Sequence, residues 1–225
     1  MATCPTVTFY GRVSFPSFTA KQAFDLSQSG QFPVDSVDKA SPNVTFLVTE
    51  VQFDKVKKYL LEQFLPYCAA QFAAGGAKER DALSPDDIAK LTAAIEGDPA
   101  DAEYNIPFKV LSDKSAELAP EAAGVVKVMG RKGLDLVLKA AARSEKDLAD
   151  PTSDILKFPV ILPIEDTVFE LYPGCVGGTT AKAYAYHNGK RPGVSLSCDT
   201  VIHRGDATRF GGGPGVDEDE FFADE

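Results

Sequence analysis

The residues Thr180-Ala181-Lys182-Ala183-Tyr184-Ala185-Tyr186 alternate strictly. In an extended chain this period of two puts Lys182, Tyr184 and Tyr186 on one face and the three alanines on the other. Flat rings interleaved with a cation suit a groove for single-stranded nucleic acid, where bases stack on the rings and cations lie beside phosphates. Each stacked base contributes about 1–3 kcal/mol with little regard for base identity. The same spacing equally suits tyrosines that bury their rings and keep their hydroxyls at the rim. Pattern alone leaves both readings open.

Other cations surround this segment. His187, Lys190 and Arg191 flank the Asn188-Gly189 turn, where they can grip phosphates or form an ordinary solvated hairpin tip. Lys139 and Arg143, four apart, share a face whether the chain is helical or extended. Arg12, Arg131 and Lys132 extend the basic surface, although scattered charges commonly serve solubility alone. Tyr10, Phe15, Phe18 and Tyr172 can also stack, but Phe15 and Phe18 fit better as core or strand-end anchors. Beyond the turn, Val194, Leu196 and Cys198 alternate with Ser195, Ser197 and Asp199, so one side supplies core and the other a small polar floor.

Catalytic chemistry finds less support. The chain has no H-E-x-x-H, Walker A, G-x-S-x-G or G-x-G-x-x-G pattern. Glu165, Asp166 and Glu170 read as surface acids around a proline-bounded strand rather than as a nuclease metal site. Cys4, Cys68, Cys175 and Cys198 share no C-x-x-C spacing, and His187 and His203 are the two histidines. The cysteines therefore read as reduced, partly buried side chains rather than disulfides or zinc ligands. We expect no catalytic residue, no metal and no cofactor.

The formal charge of -10 disfavours a nucleic-acid partner only until its distribution is considered. Six acids fall in the last nine residues: Asp217, Glu218, Asp219, Glu220, Asp224 and Glu225. Without them, 23 basic residues face 27 acidic ones, a body charge of -4 that still permits a positive groove. Gly211-Gly212-Gly213-Pro214-Gly215 reads as a flexible linker, and the acidic tail after it as disordered. Phe221 and Phe222 within that tail read as an anchor for a partner's apolar pocket, with the acids steering it to a basic rim. The start lacks a secretory signal, and no run approaches the roughly 20 apolar residues that cross a bilayer. The expectation is a cytoplasmic protein with no membrane partner.

The elements that must position these residues are predominantly β. Thr6–Phe15 and Asn43–Thr49 read as strands, joined by a long, partly ordered connection up to Pro42. Residues 54–73 read as a helix bent at Pro66, and Ser84-Pro85-x-Asp87 opens a second that stops at Gly97. Together they form an insert over about 54–97. Residues 124–129 and 134–140 suggest a hairpin around Gly130–Gly133, although the second half also suits a helix. Thr179–His187 and Gly193–His203 give the strongest hairpin signal. About five strands with an α insertion describe one mainly β domain over residues 1–210, compatible with a small barrel, followed by the linker and tail over 211–225.

Several short motifs recur in a telling order: Arg12-Val13-Ser14-Phe15-Pro16-Ser17-Phe18, Leu138-Lys139-Ala140, Pro163-Ile164-Glu165-Asp166 and Leu171-Tyr172-Pro173-Gly174-Cys175. Ala183-Tyr184-Ala185-Tyr186, Gly193-Val194-Ser195-Leu196 and Gly211-Gly212-Gly213 continue them. In this order, with an acidic end, they resemble the single-stranded DNA-binding proteins of tailed phages typified by phage Enc34. The resemblance implies an OB-fold barrel with a helical insertion, sequence-independent binding of single-stranded DNA, and a role in phage DNA replication or recombination in the host bacterial cytoplasm. It favours Lys139, Lys182, Tyr184 and Tyr186 as binding residues; separately, the free tail is expected to present partners such as a DNA polymerase. Residues 141–146, less basic than the family's run, the long stretch 75–103 and Gly177-Gly178 depart from its pattern. The competing readings are an interaction or recombination-mediator domain that binds no DNA, a metal-dependent nuclease and a structural phage protein.

Overall fold

The computed structural model describes residues 3–30, 33–79, 81–100, 102–142, 160–163, 171–189 and 191–210. In chain order the elements are β1 (Thr6–Ser17), α1 (Ala20–Gln28), β2 (Asn43–Val48), α2 (Glu50–Tyr59), α3 (Leu65–Gly75) and α4 (Pro85–Glu96). There follow β3 (Phe108–Lys109), α5 (Asp113–Leu118), β4 (Gly124–Met129), β5 (Val137–Ala142) and β6 (Val160–Pro163). The last three are β7 (Val176–Asn188), β8 (Arg191–Ser197) and β9 (Thr200–Gly205).

Strand pairing closes on itself. β1 pairs antiparallel with both β2 and β7, β2 with β4, and β7 with β8. A short parallel contact, Val128 with Leu196 and Met129 with Ser197, joins β4 to β8 and completes the circuit. Outside the circuit, β9 pairs with the first residues of β7, β5 runs parallel to β9, and β6 lies antiparallel to β5.

Alternation explains what fills the inside. Phe9, Val13, Val44, Phe46, Val48, Val126, Val128, Ala181, Ala183, Val194 and Leu196 are buried in one core. Phe9 and Phe46 meet edge to face at 5.4 Å, a favoured aromatic geometry. The alanines of β7 point into this core, so the alternate Lys182, Tyr184 and Tyr186 lie on the outer face. Val56, Tyr59, Leu60, Phe64 and Cys68 of the helical insert pack into the same core.

α2 and α3 form one continuous helix joined by a π turn at Leu60–Phe64, in which the Leu65 N–H bonds to the Leu60 carbonyl. Pro66 has no N–H for the Glu62 carbonyl and its ring crowds that oxygen, so the wider turn lets the helix pass the proline without ending. α4 begins as expected, with a Ser84/Asp87 capping box and Pro85 in its first turn. No helix among the described residues is long and apolar enough to cross a membrane.

Three local expectations need correction. The connection before Pro42 contains α1, opened by a Thr19/Gln22 capping box. Residues 124–129 and 137–142 are both strands but form no hairpin, because β2, β8 and β3 occupy the edges of β4 and β5 joins β9 instead. The stretch from Gly193 to His203 breaks after Ser197, where the Cys198 N–H bonds to the Met129 carbonyl, and β9 returns to the start of β7.

One buried side chain ties the insert to the strand that carries the tyrosines. The Tyr59 hydroxyl donates to the Pro5 carbonyl at 2.9 Å and accepts from the Ala183 N–H at 3.0 Å. Ala183 lies one residue beyond the last β1–β7 pair, Thr6 with Lys182, so its N–H has no strand partner on that side. Burial pushes the Tyr59 pKa up to about 12, so the hydroxyl stays protonated and can donate. Tyr59→Phe should lower stability by about 1–3 kcal/mol, the cost of orphaning buried backbone groups. Urea unfolding of the two proteins side by side measures it, and equal midpoints would mean that the hydroxyl contributes nothing.

Candidate nucleic-acid interface

On β7, Ala181 and Ala183 are fully buried, Lys182 is exposed, and Tyr184 and Tyr186 are half-buried. The register sets Tyr184 opposite Ser195 and Tyr186 opposite Gly193 on β8. The Tyr186 ring lies directly over Gly193, since a Cβ there would come within 2.7 Å of its Cζ. The two tyrosine rings are 5.9 Å apart and tilted by 38°. They lie on the outer face of the sheet, with one ring covering its neighbouring strand. Burial, with a smaller effect from Tyr184, raises the Tyr186 pKa.

Beside them lies an open groove of about 840 Å³. Thr180, Lys182 and Tyr184 of β7 line it together with Ser197 and Asp199 at the end of β8 and with Arg131 and Lys132 after β4. The parallel β4–β8 contact creates this arrangement, because it brings the turn after Met129 to the end of β8. That turn is pinned: the Gly130 N–H bonds to the Pro42 carbonyl at 2.7 Å and the Gly133 N–H to the Ala40 carbonyl at 2.8 Å. Arg131 reaches Asp199 at 2.8 Å with both side chains well exposed. Such a pair is worth at most about 1 kcal/mol, so a phosphate can compete for the guanidinium.

The remaining candidates are dispersed. Lys139 is half-buried on β5, beside Ile202 of β9 and apart from the groove lining. Exposed His187 approaches Asp87 of α4 at 3.4 Å. Burial opposes ionisation of Asp87, but hydrogen bonds from Ser84 and His187 outweigh it and hold the carboxyl below its usual pKa. Arg191 is exposed at the start of β8, opposite Asn188.

Arg12 is committed to the protein itself. Its side chain is 12% exposed and bonds to the Gly174 carbonyl, to the Thr208 carbonyl at 2.7 Å and to Glu121 at 3.1 Å, while its guanidinium covers the Phe210 ring at 4.9 Å. This set of contacts braces the segments around 174 and 208 against β1. Phe18 is core, and the Tyr172 hydroxyl bonds to Asp206 and the Ala207 carbonyl. Arg143, Lys190, Glu165, Asp166, Glu170 and the tail residues Asp217, Glu218, Asp219, Glu220, Phe221, Phe222, Asp224 and Glu225 lie outside the described residues, as does the side chain of Phe15.

Sequence reasoning ranked Arg131 and Lys132 low and did not single out Thr6, Ser41, Met129 or Thr180, all of which line the groove. A glycine-flanked Arg-Lys pair was the one available signal. All four cysteines are buried and outside any disulfide, and burial raises the pKa of Cys68 and takes Cys175 and Cys198 up to about 11, which suppresses their reactive thiolates. Among the described residues no group of three or more His, Cys, Asp or Glu is placed to hold a metal ion.

No protein-family model matches the chain, and a search of curated proteins found no match. Among solved structures, the single-stranded DNA-binding protein from bacteriophage Enc34 in complex with ssDNA is similar at 14% identity and a TM-score of 0.47, covering 92% of this chain and 89% of that one. A C-terminal truncation of the Enc34 protein is similar at 13% identity and a TM-score of 0.47, covering 91% and 88%. The third is gp2.5, a single-stranded DNA binding protein encoded by bacteriophage T7, at 12% identity and a TM-score of 0.47, covering 92% and 94%. These structural neighbours are phage single-stranded DNA-binding proteins, the group whose motifs the sequence resembles.

Proposed function

We propose that this chain binds single-stranded DNA without sequence preference, through an OB-fold barrel formed by the closed circuit of β1, β2, β4, β8 and β7. The observation that carries the reading is the pair of outward tyrosine rings beside a groove lined by Lys182, Arg131 and Lys132. Bases stack on Tyr184 and Tyr186 while the sugar-phosphate chain runs past the three cations. Thr6, Ser41, Thr180 and Ser197 line the same groove with short hydroxyls that can bond to phosphate or sugar and carry little sequence information. Duplex DNA keeps its base faces stacked within the helix, so the rings have nothing to hold there.

Lys139, His187, Arg191, Lys190 and Arg143 serve as flanking contacts in this proposal, and Arg12 as the brace that keeps β1 in place. Coating exposed strands blocks re-annealing and nuclease access in phage replication or recombination, with no catalytic step and no cofactor. The acidic tail, with Phe221 and Phe222 as apolar anchors, recruits a partner protein such as a polymerase.

Fluorescence titrations with single-stranded and duplex oligonucleotides at two salt concentrations test the reading. The three groove cations alone predict that log K falls with log[salt] at a slope of roughly -2 for single strands, and flanking contacts steepen it. Duplex should bind much more weakly. Equal affinity for duplex and single strand, or no response to salt, would defeat the proposal.

A further inference from the structure

We propose that the outer face of β1, β7 and β9 carries a second base-stacking subsite, built on Tyr10 and Arg204, that extends the strand's path beyond the groove. It rests on the single-stranded DNA reading above and adds residues to it. Tyr10 is 40% exposed, and the Arg204 guanidinium lies over its ring at 4.8 Å. A guanidinium over an aromatic ring puts a cation beside a π surface, and both aromatic rings and guanidinium groups stack bases in single-stranded recognition.

The architecture around this pair is specific. Tyr10 of β1 pairs with Gly178 of β7, Gly178 with Ile202 of β9, and Ile202 with Lys139 of β5. One row across four strands therefore reads Tyr, Gly, Ile, Lys, with Arg204 two residues beyond Ile202 on the same face. Gly178 is the floor that admits the arginine: a Cβ there would stand 3.0 Å from Arg204 Cδ, 3.3 Å from the Phe9 carbonyl oxygen and 3.4 Å from Tyr10 Cβ. The Gly177-Gly178 pair, whose departure from the family pattern reads as a bulge, adjoins a register shift between Val176 and Gly177 against β9, and each glycine has its own role. Gly177 faces inward against Val13 and Phe46, and Gly178 faces outward beneath Arg204.

The subsite is continuous with the groove. Thr180 lines the groove, and its hydroxyl lies 2.8 Å from that of Thr8 on β1. Tyr10 follows on the same face two residues later, about 7 Å along the strand. Lys139, which stands apart from the groove, joins the second subsite as its phosphate contact.

The test compares homopolymeric thymidine oligonucleotides of about 5 and about 15 nucleotides, within the range a single OB-type module spans. The proteins are the wild type, Tyr10→Phe, Tyr10→Leu and Arg204→Gln, each checked for an unchanged melting temperature. The wild type should bind the longer strand more tightly. Tyr10→Leu and Arg204→Gln should each lose roughly fivefold or more on the longer strand and nothing on the shorter, while Tyr10→Phe, which keeps the ring, matches the wild type. If Tyr10→Leu does not fold, Arg204→Gln carries the comparison. Unchanged affinity of the folded variants for the longer strand, or equal losses on both lengths, overturns the subsite alone. Failure of the wild type to bind either strand defeats the DNA reading itself, and this proposal with it.

Discussion

Replacing Tyr184 with alanine is expected to weaken single-stranded DNA binding by about 1–3 kcal/mol, roughly 5- to 150-fold, while the fold survives. The ring lies on the outer face of β7 opposite Ser195, so its removal opens no core cavity. Tyr186→Ala should lose a similar increment and also uncover Gly193, adding a small loss of stability because the ring shields that stretch of β8. The double variant should lose more than either alone but need not lose the sum, because the rings are only 5.9 Å apart. Tyrosine-to-phenylalanine changes at both positions should keep most of the affinity, since the π face and not the hydroxyl carries the interaction. Titration of a labelled oligonucleotide, with a thermal melt of each variant, decides this. Wild-type affinity in a folded double alanine variant would remove the stacking mechanism.

The largest loss of stability is expected at Gly174. Its φ of +107° is a backbone conformation that residues with a Cβ rarely adopt. A Cβ there would also overlap the Thr208 carbonyl oxygen and stand 2.9 Å from the Arg209 Cα and the Phe210 nitrogen, all backbone atoms that cannot rotate away. The Gly174 N–H bonds to the Val13 carbonyl at 2.7 Å, and its carbonyl accepts from Arg12. Relieving the clash therefore pulls the brace on β1 apart as well. Backbone strain and overpacking together put Gly174→Ala on the order of 3–5 kcal/mol destabilised. Denaturant unfolding reads this directly, and a loss under about 1 kcal/mol would show that the segment at 208 yields freely.

Much of the local structure was legible from residue order. The alternation at 180–186 identified both faces of β7, and Ser84-Pro85-x-Asp87 placed the start of α4. Asn188-Gly189 marked the β7–β8 turn, where Gly189 takes a φ of +63°. The Thr19/Gln22 capping box of α1 is an equally local signal, but it lies in the stretch that was read only as a connection. These signals act over a few residues, through side-chain direction, a cap or a turn, and so survive in a linear reading.

Beyond the β7–β8 hairpin, tertiary structure alone decided which strands meet. Residues 124–129 and 137–142 sit close in sequence, yet one joins β8 and the other β9, since pairing depends on burying faces contributed by distant segments. That choice turned Arg131 and Lys132 from scattered surface cations into lining of the same groove as Lys182. It also made Arg12 a brace and set Arg204 over Tyr10, 194 positions away in the chain. Residue order determined which side chains share a strand face. The closing of β4 onto β8 determined which faces share a groove, because contacts between distant residues leave no trace in local spacing.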